Sequence, residues 1–101
     1  MDTDDLSKEA YEGILMEAEK FSQDLTLHFG LLSYDCKNET EYIEKAEKLA
    51  KDLMEIEDWE LDDLFWGNIP EKEKLKLTCK KILGNIDKVK SIPIEKRKFD
   101  F

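Results

Sequence analysis

The sequence predicts an all-α fold: an antiparallel three-helix bundle with an additional short helix and an extended C-terminal tail. Three observations lead there. Apolar residues recur at alternating three- and four-residue steps in three separate stretches, which is the helical period. The connections between the stretches are short, which makes successive helices antiparallel neighbours. Charge also divides along the chain. Met1 to Ile69 carries twenty acidic residues against six lysines, a net of −14, whereas Pro70 to Phe101 carries ten basic against five acidic, a net of +5. Acidic helices and a basic last helix attract each other within one bundle, and the total of −9 leaves negative potential outside. A chain of 101 residues suits one core, so 1–101 is expected to be a single helical-bundle domain.

The first helix is expected over 6–33. Ser7 can cap it, with Leu6 packing on Tyr11 as a hydrophobic staple. Tyr11, Ile14, Ala18, Phe21, Leu25, His28 and Leu32 form its stripe, widened by Leu15 and Phe29. Asn38 and Glu41 have capping-box spacing and open a second helix, 38–57, with the stripe Tyr42, Ala46, Leu49, Leu53 and Ile56. Asp58 can cap a short helix over 58–66 that buries Leu61, Leu64 and Phe65 and ends at Gly67 in the left-handed conformation. Pro70 suits the first turn of the third long helix, 70–91, striped by Leu75, Cys79, Ile82, Ile86 and Val89. Pro93 stops it and leaves 92–101 as a tail expected to dock on the bundle through Ile92, Ile94, Phe99 and Phe101. The nine residues from Glu17 to Leu25 match Lys45 to Leu53 at five positions, a likeness assigned to convergence of amphipathic helices rather than duplication.

Most chemical classes find no support in the residues. There is no run of about 18 apolar residues for a membrane span, and the acidic start is unlike a secretory signal, so a cytoplasmic protein is expected. Neither C-x-x-C nor H-x-x-x-H occurs, and one histidine cannot furnish the paired Glu-x-x-His motifs of a di-iron bundle. The stretch from Asp58 to Asp63 begins like a calcium loop, but Asp63 replaces its glycine and Ile69 its closing glutamate. No phosphate-cradling glycine motif is present, and the net charge repels a phosphate backbone. His28, with Asp24 one turn earlier, is read as a hydrogen-bonded structural residue. Cys36 and Cys79 are read as reduced thiols. No catalytic, cofactor-binding or metal-binding residue is assigned.

What remains is the aromatic and acidic stretch Trp59, Glu60, Asp62, Asp63, Phe65 and Trp66. An exposed indole there would anchor a protein partner while the carboxylates select a basic rim. The expected function is therefore a non-enzymatic interaction or accessory module, monomeric, with a basic or helical protein partner and with neither nucleic acid nor membrane as a direct ligand. One alternative is an acidic mimic of nucleic acid that occupies a basic protein, which requires a continuous carboxylate ridge. A second is a small thiol-dependent enzyme, which requires a pocket joining His28 to Cys36.

Overall fold

A computed structural model describes residues 3–66 and 69–97, with side chains from Ser7 onward. The described residues are all-helical: α1 (Thr3–Phe21), α2 (Gln23–Leu31), α3 (Glu39–Met54), α4 (Asp58–Leu64) and α5 (Lys72–Lys90), with 3-10 turns at Leu32–Asp35 and Ile94–Lys96. No described helix is long and apolar enough to cross a membrane. Helix α5 packs against both α1 and α3, so the basic helix is the one the two acidic helices share. Its stripe, Leu75, Cys79, Ile82, Ile86 and Val89, is wholly buried. Tyr11 and Tyr42 join α1 to α3 edge to face, 5.2 Å between ring centres, and the buried Tyr42 hydroxyl donates to the Phe29 carbonyl at 3.0 Å.

The first helix differs from the expected 6–33. It begins at Thr3, so Ser7 is no cap: it lies inside α1, buried, and its Oγ finds no hydrogen-bond partner among the described residues. The helix also breaks at Ser22. That residue is extended (φ −167°, ψ 158°), its Oγ accepts the Leu25 N–H at 3.1 Å, and α2 restarts behind it with Asp24 in the first turn. The break aligns in sequence with Ala50, which is buried inside α3, so the two similar nine-residue stretches fold differently. At the far end of α2, Ser33 Oγ donates to the Gly30 carbonyl, and Cys36 Sγ donates to the Leu32 carbonyl of the 3-10 turn.

Asn38 caps α3 by accepting the Glu41 N–H at 2.9 Å, while the Glu41 carboxylate accepts from Lys37 N–H. Helix α3 stops at Met54, and α4 is a separate helix whose N-cap is Glu57 rather than Asp58. Glu60 holds that start by accepting the Glu57 N–H at 3.0 Å. Helix α5 begins two residues beyond Pro70, with Glu71 at its N-cap. After α5, Ile92 is buried but Ile94 is exposed, and the chain turns back instead of extending. Arg97 pins the turn, donating to the Lys90 and Ile92 carbonyls and to Thr40 Oγ1 of α3 at 3.0–3.2 Å. Phe99 and Phe101 lie outside the described residues, as does Gly67.

Candidate functional site

Helix α4 runs for only seven residues, so its two sides are easily separated. Leu61 and, just beyond the helix, Phe65 face inward with 2% and 1% exposure. Phe65 meets Phe21 edge to face at 6.2 Å and His28 at 6.1 Å. It is therefore part of the core rather than a contact available to a partner. Trp59 is 68% and Trp66 62% exposed. Asp62 and Asp63 are exposed, and Glu60 is partly covered.

The two tryptophans take different neighbours. Trp59 stands at the edge of a cleft of about 380 Å³ between α3 and α4. Leu49, Leu53 and Ile56 form one wall, Trp59 and Leu64 the other, and Asp52, Glu60 and Asp63 also line it. Asp62 does not. Leu49 and Leu53 lie one turn apart on α3 with Asp52 beside them, and Ile56 follows in the connection to α4, so the end of α3 and the chain just beyond it supply that wall. Leu49, half-buried, belongs to the cleft as much as to the core.

Trp66 instead stacks on His28, with ring planes 2° apart and centres at 5.5 Å. The expectation for Gly67 falls outside the described residues, but the φ of 49° at Trp66 places this residue in the left-handed region just beyond α4. A bulky residue there is strained, by about 1–3 kcal/mol, and the stack on His28 holds it in place. His28 Nε2 donates to the Leu64 carbonyl at 2.8 Å. A carbonyl can only accept, so the proton is on Nε2. The bond satisfies an open oxygen at the end of α4 and runs across 36 residues rather than to neighbouring Asp24. His28 thus clamps the C-terminal end of the helix that supplies Trp59, Glu60, Asp63 and Leu64 to the cleft. Sequence periodicity placed His28 at the core edge but gave no sign of this partner.

Both thiols are free. Burial pushes Cys79 up to about 11. Burial also raises Cys36, opposed in part by Lys45, and its Sγ is spent on the Leu32 carbonyl. Protonated thiols are poor nucleophiles. Among the described residues no group of three or more His, Cys, Asp and Glu side chains is arranged to hold a metal ion. No family model, curated protein or solved structure matches the chain.

Proposed function

We propose that this protein is a non-enzymatic interaction module of the cytoplasm, and that α1, α3 and α5 form an antiparallel three-helix bundle that presents the cleft beside α4 to a protein partner. The bundle reading draws support from α5, which packs on both other long helices. The functional reading is carried by one observation: Trp59 is 68% exposed at the edge of an apolar cleft lined by three carboxylates. An exposed indole beside aliphatic walls is the kind of group that becomes a binding hot spot when a partner removes it from water.

The charged surface favours this over a nucleic-acid mimic. Lysines interrupt the carboxylates of α3, with Lys45 paired to Glu41 at 3.5 Å, Lys51 to Glu47 at 3.8 Å, and Lys90 of α5 also to Glu47 at 2.7 Å. A mimic calls for an unbroken acidic ridge. Affinity capture from native lysate tests the proposal. Wild-type protein should retain a partner that Trp59→Ala releases; retention unchanged by Trp59→Ala, or no partner retained, removes the site from consideration.

A further inference from the structure

We propose that the cleft between α3 and α4 receives an amphipathic helix that carries lysine or arginine beside its apolar stripe. This identification of the occupant rests on the interaction-module reading above. Charge complementarity selects the basic partner. Asp52 stands on the α3 side and Glu60 and Asp63 on the α4 side, so carboxylates border the apolar strip from both helices, and among the described residues no cationic one lines the cleft. Among the described residues neither Asp52 nor Asp63 is held in an ion pair, so both are available to an incoming cation. The net charge of −9 adds a long-range field that draws cationic segments toward the molecule.

Backbone chemistry selects a helix over an extended peptide. An extended ligand gains affinity by pairing its N–H and C=O groups with an exposed strand edge. The cleft is lined from two helices, whose interior main-chain groups are already bonded internally, and from Ile56 in the connection between them, and its apolar lining is Leu49, Leu53, Ile56 and Leu64 beside Trp59. An extended peptide pressed on that apolar lining leaves buried backbone groups unpaired, which is costly. A helix satisfies its own backbone and offers the cleft only side chains. Apolar residues three and four positions apart then lie between Leu49 and Trp59, and flanking lysines or arginines reach the acidic rims. Contacts of that kind combine a desolvated indole, which sets the dissociation rate, with rim charges, which set the association rate and its salt dependence.

The test is calorimetric titration of the full chain with a synthetic amphipathic helix made of leucine and lysine, against a scrambled peptide of the same composition. The amphipathic peptide should bind at least about tenfold more tightly than the scramble. Trp59→Ala should weaken it at least about tenfold, the loss expected of a central aromatic anchor. Asp52→Asn with Asp63→Asn should weaken it at low salt and flatten its salt dependence. All three positions are exposed, and circular dichroism with thermal melting checks that the variants fold as the wild type does. Equal binding of the two peptides, indifference to Trp59→Ala, or no binding overturns the proposal. So does an extended bound peptide in isotope-edited NMR. A concentration-dependent dimer of the protein alone, abolished by Trp59→Ala, identifies a second copy as the occupant and overturns it as well. Should Trp59 be required to capture a native partner while the model helix fails to bind, the interaction-module reading stands and only the helical basic occupant falls.

Discussion

His28 and Trp66, 38 positions apart in the chain, stack with their planes 2° from parallel. The pair explains how a tryptophan comes to occupy a left-handed position where a glycine follows directly in the sequence. Flat rings at this separation attract beyond the area they bury, by about 0.5–1.5 kcal/mol, and the same imidazole holds the Leu64 carbonyl. His28→Ala removes both and should destabilise the fold by roughly 1–2 kcal/mol, the lower part of the cost of an unsatisfied acceptor because the Leu64 carbonyl is only partly buried. His28→Gln can still donate to Leu64 but cannot stack, so it should lose less. Urea titrations of the two variants check the order. Peptide binding at Trp59 should survive His28→Gln, because glutamine can still hold the Leu64 carbonyl and Trp59 lies at the other end of α4.

The helical stripes were legible because burial against a core repeats at the helical period, and Leu75 to Val89 follow that rule throughout. The break at Ser22 was hidden by the same regularity: Phe21, Leu25 and His28 keep their three- and four-residue steps straight across it. The competing signal was local, a capping serine followed by Asp24, and it prevailed because Ser22 Oγ can satisfy the Leu25 N–H. The acidic aromatic stretch was likewise visible as composition, and spacing puts Leu61, Leu64 and Phe65 on one face, but composition groups Phe65 with Trp59 and Trp66 as a partner contact, which its burial rules out. The cleft was not visible. Its second wall comes from the end of α3 and from Ile56 just beyond it, and only the break between Met54 and Asp58 lets Leu49, Leu53 and Ile56 share a cleft with Trp59.

Two positions in similar stripes should behave differently. Ile82 is wholly buried in the helix that α1 and α3 share, so Ile82→Ala should cost roughly 2–5 kcal/mol. Leu49 occupies an equally regular position in α3 but is only half-buried at the cleft, so Leu49→Ala should cost about 1 kcal/mol. Denaturant midpoints for the two variants provide the comparison. Equal losses would mean that Leu49 is a core residue and that the cleft is narrower than described.

Two glycines distinguish helix propensity from packing. A Cβ at Gly84, on the outer side of α5, meets no heavy atom within 4 Å. Gly84→Ala should stabilise the protein by about 0.5–1 kcal/mol through propensity and reduced freedom of the unfolded chain. At Gly13 a Cβ would lie 2.7 Å from Asn85 Oδ1, where α1 meets α5. The amide must then swing aside and give up its hydrogen bond to the Lys81 carbonyl. Gly13→Ala should therefore stabilise less than Gly84→Ala, and Asn85→Ala added to it should recover part of the difference. Thermal melts of the three variants measure the gap.

Glu47 and Lys90 link an acidic helix to the basic one, and their titration fixes the direction of a pH effect. The hydrogen bond from Lys90 holds the Glu47 carboxyl below its ordinary value of 4.5, against an opposing push from burial. The same bond, followed by the attraction of Glu47, raises Lys90 above 10.5. A carboxyl with a lowered folded pKa stabilises fully above its unfolded value and loses that contribution as pH falls through the folded one. A lysine with a raised folded pKa contributes fully below its unfolded value and loses it as pH climbs through the folded one. The pair accordingly stabilises across the whole neutral range. Glu47→Gln removes the charge at every pH, so its deficit against wild type should be constant around neutrality, shrink as pH drops below 4.5, and vanish below the lowered value of Glu47. High salt should reduce the deficit only in part, since Glu47 is 23% exposed while Lys90 is 49% exposed. Urea titrations of both proteins from neutral pH downward give the measurement; a deficit that persists unchanged in acid would show that Glu47 contributes through packing rather than through its charge.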